Sequence, residues 1–507
     1  MTTSIIEPSF LGLEEAKLEW ANQWLSSTKT SYINGSFIGS SKQVIDCVNP
    51  SNLKKIASIV ESSKEDLDSA VSAARNAFNQ KSWRKMARKD RAKLLQQIGQ
   101  AIRRHAAELA TIESLDNGKL YRESYNDDIP ESADIFDYYA GWLDKHYAEN
   151  CPVDDGFLNY TVREALGVCA LIVPWNFPLL LACWKIAVAL CTGNTVIVKA
   201  SPFASLSIVR LFEILHDELD IPPGVLNLLH GGAEIGASIA EHPGIDKVSF
   251  TGSTAVGKKI VQGSGSSNLK SVSLELGGKS ANIVFEDAPD LAYAIERSFQ
   301  ATFSHKGEKC SEPTRLFVHR SIYEEFLFGL KLRADATICG DPFDPKSTQG
   351  AQCHLGHFEK IMSYIEHANN EKLRLVAGGC RDTNGTNASG LFVRPTIYAD
   401  VDSKSRLCQE EIFGPVLTVT PFESEEEAVA MANDSIYGLA AGLWTKDVSR
   451  AHRVASELDA GMVFVNKYGC YDFSSPFGGF KQSGWGKEMS LHSLHAFSKL
   501  KSVWLKV

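Results

Sequence analysis

The sequence lacks any run of about 18 uncharged apolar residues, which excludes a membrane-spanning helix. Its longest apolar stretch, 167–190, is interrupted by Pro174, Asn176, Pro178 and Lys185. It also lacks a basic excess. Lys and Arg number 52 against 61 Asp and Glu, a net charge of −9, so neither nucleic acid nor an anionic membrane is an expected partner. There is no CxxC pair among the 11 cysteines, an odd number scattered along the chain. That argues against a disulfide framework and against a zinc site, so no metal is expected. Free thiols fit a reducing, cytoplasmic setting. Early acids (Glu7, Glu14, Glu15) without an apolar core segment predict no signal peptide. No internal repeat or low-complexity tract is present; 384–390 reads as a plain loop.

What is present is an ordinary globular composition, 44% apolar and 22% charged, over 507 residues. That length suggests two or three domains of about 100–200 residues each. Residues 1–30 read as an acidic helical extension. Tyr32-Ile33-Asn34-Gly35 reads as a strand entering a turn. The stretches 64–78, 88–116 and 129–147 have helical periodicity, and 151–162 alternates like a strand pair or arm. From 167 a regular alternation begins. Strands are expected at 167–173, 195–199, 225–229, 247–250 and 271–276. Helices are expected at 179–191, 205–218, 235–241 and 255–263. This pattern predicts a mostly parallel, doubly wound α/β sheet, whose ligand crevice lies beyond the strands' carboxyl ends. A second α/β region follows from 282 to about 465, and Val503-Trp504-Leu505 signals a final strand.

Four short segments carry chemical potential. Cys310 lies in a loop between a glycine and a proline, with Lys306 and Lys309 close enough in sequence to favour a thiolate. A lone cysteine, however, is more often a small buried hydrophobe. Glu275 ends an apolar strand, where burial raises a carboxyl pKa and suits a general base, or it is simply a solvated glutamate at a strand end. Gly277 and Gly278 after it allow a close backbone approach. Asn176, between Pro174 and Pro178, is a rigid amide donor suited to an oxyanion, or simply a turn cap. Phe250-Thr-Gly-Ser-Thr-Ala-Val-Gly257 follows a strand and opens a helix, a site for a pyrophosphate or merely a glycine-rich turn.

In this order, with PWNFPLL and its following WK, TVIVKAS, FTGSTAVGK, SLELGGKS, the Cys310 segment, EEIFGPV and PFGGFKQSGWGKE, the chain resembles the aldehyde dehydrogenases over about 30–507. It is nearest their broad-specificity class 1/2 branch. The resemblance implies an α/β fold with a Rossmann-type cofactor domain (31–148 and 163–280), an α/β catalytic domain (281–474) and a small β oligomerisation arm (149–162 and 490–507). It also implies a homodimer or homotetramer. Cys310 is then the nucleophile, Glu275 the base and Asn176 the oxyanion donor, with Lys185 and Glu488 as a proton-relay pair. The cofactor, NAD or NADP, is expected against Trp175, Lys199, Gly252, Ser253, Gly257, Leu276, Glu411 and Phe413. Phe177, Trp184 and Phe477 map to the substrate tunnel. With Tyr468, Tyr471 and Phe473 they suit an apolar or aromatic aldehyde.

Three departures stand out. Glu308 replaces a glutamine of the family pattern before the cysteine and, if ionised nearby, would oppose the thiolate. Pro202 stands where NAD-preferring relatives carry a ribose-binding glutamate, so NADP is admissible. Val188 replaces a proline and is expected to alter helix packing alone. Two alternatives are a CoA-acylating relative, which the presence of Glu275 opposes, and a catalytically silent cofactor binder, which Glu308 favours.

Overall fold

The computed structural model describes residues 15–39 and 41–507. Its central feature is an eight-stranded sheet. The strands run in the order Gly484–Trp485, Ser271–Glu275, Lys247–Thr251, Val168–Ile172, Thr195–Lys199, Leu226–Leu229, Ser31–Ile33 and Ser36–Ile38. The five strands from Val168 to Glu275 are mutually parallel. They read as continuous apolar runs because helices cover both faces, and Val168–Ile172 and Thr195–Lys199 are buried at every position. The first two strands to follow Val168–Ile172 in sequence are added on one side of it. The next two, Lys247–Thr251 and Ser271–Glu275, lie on the other. The order therefore reverses beside Ile172, and a doubly wound sheet opens its ligand crevice at that reversal.

A second, seven-stranded sheet is centred on Ala281–Val284, with Arg315–His319 on one side and Ala440–Trp444 on the other. A three-stranded sheet pairs Ser498–Lys506 with Phe157–Ala165, which in turn pairs with Asn150–Cys151. Among the described residues, no helix is long and apolar enough to cross a membrane, and no cluster of ligating side chains could hold a metal ion. All eleven cysteines are free.

Several sequence expectations need adjustment. The helix expected over 88–116 is two, Arg88–Arg104 and Ala106–Asn117, because His105 leaves helical geometry at φ −102°, ψ 18°. The helix at 129–147 ends at Ala140, where Gly141 begins a run of turns. It is entered through a π-helical turn, Ser124–Asp128, a form that recurs at functional sites. The arm strand runs to Ala165, past the boundary at 162. The N-terminal extension adds helix Glu15–Ser26 and a short strand, Thr28–Lys29, parallel to Lys54–Val60; its first residues, 1–14, lie outside the described residues. Asn34 (φ 52°) and Gly35 (φ 82°) make the left-handed pair of a tight hairpin, as the Asn-Gly signal requires.

One buried ionic group ties the helical layer together next to the crevice. Lys119, fully buried just past the left-handed Gly118, donates to Asp128 at 2.6 Å and to Glu113 at 3.0 Å. The two carboxylates keep its ammonium charged, against the effect of burial. The Lys119→Ala variant strands two carboxylates in the interior and is expected to lose about 3–5 kcal/mol of stability. A urea midpoint unchanged from wild type would contradict this.

Candidate active site

Three strand ends at the sheet reversal present the groups singled out above. Ile172 leads into Pro174-Trp175-Asn176, Thr251 into Gly252-Ser253, and Ser271–Glu275 ends on the glutamate itself. The loop carrying Cys310 comes from the second sheet and closes over them. A cavity of about 510 Å³ lies between, lined among others by Phe177, Trp184, Thr251, Glu275, Cys310, Phe477 and Glu488. The Cys310 side is half-buried and reachable from this cavity.

Glu275 is 4% exposed, and its Oε2 has no hydrogen-bond partner. Burial first, and the Glu488 carboxylate second, hold its carboxyl well above the usual range, only partly countered by Lys185 and Lys487. Gly478 is required beside it, since a Cβ there would lie 2.6 Å from Glu275 Oε1. Lys185 donates to Glu488 Oε1 and, at 3.0 Å, to Ser249 Oγ; Ser249 donates to Glu488 at 3.2 Å. Ser249 escaped the sequence reading because nothing marks a serine inside a buried strand.

Asn176 is 5% exposed, and its Nδ2 donates to the Glu308 carbonyl at 2.8 Å. One amide hydrogen is thereby fixed, which sets the direction of the other. The helix that follows starts at Phe177 with Pro178 in its first turn, a position where the missing N–H costs nothing. Val188, the third departure, lies fully buried in that helix.

The two lysines spend their hydrogen bonds away from the Cys310 sulfur, and only Lys309 keeps an electrostatic interaction with it. Lys306 Nζ turns away to Asn117 O and Oδ1 (2.8 and 2.7 Å) and pairs with Glu308 at 2.8 Å. Lys309 Nζ donates to Ser304 Oγ at 2.6 Å. The thiol pKa is instead pushed up to about 12, by burial, then by Glu275 and Glu411. Glu308 is not among the groups that dominate that shift. Its carboxylate faces Lys306, the Cys353 N–H at 3.0 Å and His357 Nε2 at 3.6 Å. The backbone sets this direction: His305, Lys306 and Gly307 all have left-handed φ (51°, 64°, 75°). Glu308 therefore serves packing around the loop rather than opposing the thiolate.

The residues expected at the cofactor have contacts of their own. The Glu411 carboxylate accepts from Gly278 N at 2.8 Å and fills the space where a Gly277 side chain would be. A Gly278 Cβ would meet the Cys310 carbonyl. The two glycines thus admit other parts of this chain, where the sequence suggested a ligand. Ser253 caps helix Thr254–Ser266, accepting from Val256 N at 3.4 Å. Gly257 closes the first turn to Ser253 O, and its missing side chain makes room for Leu276, 2.7 Å from a would-be Cβ, so it supplies space rather than a donor. Trp175 packs edge-on to Phe413 (centroids 5.4 Å) and against His357 (4.8 Å). Lys199, at the end of its strand, is 6% exposed and makes no ion pair among the described residues; burial lowers its pKa to about 8, with Glu61 opposing. A capped helix start, a buried lysine and aromatic walls fit a dinucleotide.

The sequence matches the aldehyde dehydrogenase family model over residues 37–503. It is 43% identical to the mitochondrial aldehyde dehydrogenase of Mesocricetus auratus, covering 92% of this chain and 93% of that protein. It is also 43% identical to the NADP/NAD-dependent aldehyde dehydrogenase PuuC of Escherichia coli, covering 94% and 95%. The fold superposes on an NAD+ complex of aldehyde dehydrogenase from Bacillus cereus with a TM-score of 0.94 and 38% identity, covering 98% of this chain and 100% of that one.

Because the Glu308 carboxylate faces away from the thiol, Glu308→Gln is expected to change Cys310 alkylation by iodoacetamide less than about threefold, half a pK unit. The rate is read from the mass of the Cys310 peptide. A tenfold acceleration would place the carboxylate against the sulfur after all.

Proposed function

Since the chain belongs to the aldehyde dehydrogenase family and oxidises aldehydes to carboxylic acids with NAD(P), we propose that Cys310 is its nucleophile, Glu275 its general base and Asn176 its oxyanion donor. The observation that carries this is the buried, half-unpartnered Glu275 carboxyl sharing one cavity with the Cys310 thiol.

The high thiol pKa means that attack requires a base. Glu275, in its carboxylate form, takes the Cys310 proton as sulfur bonds to the aldehyde carbon. The resulting oxyanion is held by the free Asn176 N–H and the Cys310 backbone amide. The bound nicotinamide supplies the hydride acceptor, and the chain is left as a Cys310 thioester. Glu275 releases its proton through Glu488, Lys185 and Ser249, then takes one from water. That water oxygen bonds to the acyl carbon, the carbon–sulfur bond breaks, and the acid leaves. Covalent attachment makes these steps unimolecular. The same glutamate disfavours the acyl-transfer alternative, because a base for water is superfluous where CoA resolves the thioester.

Cofactor choice follows from Lys199 and Pro202. With proline in place of a carboxylate, the one acidic group acting on Lys199 is Glu61, so a 2′-phosphate meets a buried cation and little repulsion. Both NAD and NADP are accepted on this reading. In the three-stranded sheet, Leu158 (42% exposed), Trp504 (61%) and their neighbours leave an apolar edge uncovered, which supports an arm that pairs with a second copy in a dimer or tetramer. The walls formed by Phe177, Trp184, Tyr468, Tyr471 and Phe477 suit an aldehyde with an apolar body.

Cys310→Ala is expected to abolish NAD(P)H release from every aldehyde tested; retained turnover would remove the assignment. Because the Glu275 pKa is raised, its base form grows as pH increases, so turnover climbs with pH through and above the ordinary glutamate range. Glu275→Gln should remove that limb and lower kcat by about a hundredfold or more. A Glu275→Gln enzyme with the wild-type pH profile would rule out the base. Pro202→Glu should shift the ratio of kcat/KM for NAD over NADP upward by about tenfold or more, since like charges placed together cost several kcal/mol. An unchanged ratio would show that position 202 does not face the 2′-phosphate.

A further inference from the structure

Lys199 and Glu61 bring opposite charges to one end of the crevice without touching. Lys199 ends the strand Thr195–Lys199, and Glu61 directly follows Lys54–Val60. The Lys199 ammonium makes no hydrogen bond and no ion pair among the described residues, yet Glu61 acts on it electrostatically. The two groups are therefore near each other but not bonded. Leaving a buried lysine short of an available carboxylate is costly, since closing the pair would offset part of its desolvation.

Glu61 is held where it is from another side. Its Oε1 accepts from Gly232 N at 3.1 Å, at the start of helix Ala233–Glu241, which has no side-chain cap from Gly232 itself. Gly231 has a φ of 147°, and a Cβ there would lie 3.1 Å from the same oxygen. Ser62 N donates to the His230 carbonyl at 2.9 Å, and His230 N donates to Ser62 Oγ at 2.8 Å. Leu229 is the register partner of Lys199, so the loop that fixes Glu61 leaves the sheet beside the lysine.

Glu61 is half-buried, and only its Oε1 is engaged among the described residues. A free carboxylate oxygen near an unpartnered ammonium suits a vicinal diol. Hydroxyls donate to the carboxylate while their oxygens accept from the lysine. The adenosine ribose of NAD carries such a diol, and doubly wound sheets use an acid to bind it. A 2′-phosphate has no proton to give at that position and brings negative charge to Glu61. His230 adds no charge, because burial first holds its pKa at about 4.

We propose that Glu61 is a cofactor-specificity residue: its Oε2 accepts the 2′-hydroxyl of the adenosine ribose near Lys199, which makes NAD the better of the two dinucleotides. This rests on the reading of Lys199 as the adenosine end and adds to it the group that discriminates. Pro202 removes one acid from that end and Glu61 is the acid that stays. One carboxylate, with an oxygen already spent on Gly232, gives a preference and not an exclusion, so NADP still enters and pairs with Lys199.

The test measures Kd by calorimetry, without aldehyde, for NAD, NADP and 2′-deoxy-NAD. Wild type is expected to bind NAD about tenfold or more tighter than NADP, and to lose about tenfold with 2′-deoxy-NAD, as for a hydrogen bond to a charged group. Glu61→Gln keeps an amide oxygen for Gly232 N, so the helix start stays capped. In this variant the NAD-over-NADP ratio should fall about tenfold or more, and the loss with 2′-deoxy-NAD should shrink to about threefold or less. A merely structural role would shift all three ligands together. A wild type that favours NADP, a ratio unchanged in Glu61→Gln, or an undiminished loss with 2′-deoxy-NAD overturns the proposal and leaves Lys199 in place. Unchanged Kd for both dinucleotides in Lys199→Ala would instead overturn the reading on which it rests.

Discussion

A carboxyl group held in the interior without a full set of partners is the constraint around which this molecule is arranged. Leaving a buried acid unsatisfied is costly, and the group answers by staying protonated well above its usual range. Glu275 tolerates that position because it ends a strand at the point where the sheet order reverses, so its neighbours are strand termini and a cavity rather than a packed core. In the group behind it Lys185 donates to both Glu488 and Ser249, yet Glu488 adds negative potential rather than relief. The chain thus keeps one protonated acid beside a buried charged pair.

The Cys310 loop meets the same constraint from the other sheet. The lysines of its own loop, Lys306 and Lys309, turn their ammonium groups to Asn117, Glu308 and Ser304. Those lysines do structural work. Lys306 joins the loop to the end of helix Ala106–Asn117. The Asn117 side chain in turn donates to Trp175 O at 2.8 Å, next to the asparagine that holds the Glu308 carbonyl. Asn176, the Cys310 loop and the Trp175 wall are therefore fixed relative to one another by a continuous set of buried bonds. Such preorganisation matters more to an oxyanion than the strength of any single bond.

Much of this was legible from residue types. The parallel strands announced themselves as short, fully apolar runs, and their bounds shift by no more than about a residue or two, the usual scatter at element ends. The strand-end glutamate, the asparagine between prolines and the glycine-serine helix start were each visible as chemistry that burial makes unusual. What sequence could not give was direction. Two lysines beside a cysteine look like activation until the left-handed run His305-Lys306-Gly307 points them elsewhere. Gly277 and Gly278 look like a ligand cradle until Glu411 and the Cys310 carbonyl occupy the space. Glu308 looked like a liability to the thiolate because adjacency in sequence stood in for adjacency in space.

The strain of the nucleophile loop explains why its surroundings are so polar. Two non-glycine residues in left-handed geometry cost of order 1–3 kcal/mol each and persist only where the surroundings over-determine them. Here the surroundings are three hydrogen-bonded or ionic contacts from Lys306, two from the Glu308 carboxylate, and a backbone packed so tightly at Gly307 that a side chain there would strike Gly414. An apolar replacement of this network would bury as much surface but would not specify the turn, because dispersion is non-directional and hydrogen bonds are not. A position in which Glu308 replaces the uncharged residue of the family pattern is therefore stable only with a cation fixed opposite it. Lys306, held by Asn117, is that cation. The acid and the base are one structural unit that holds the turn ahead of Cys310.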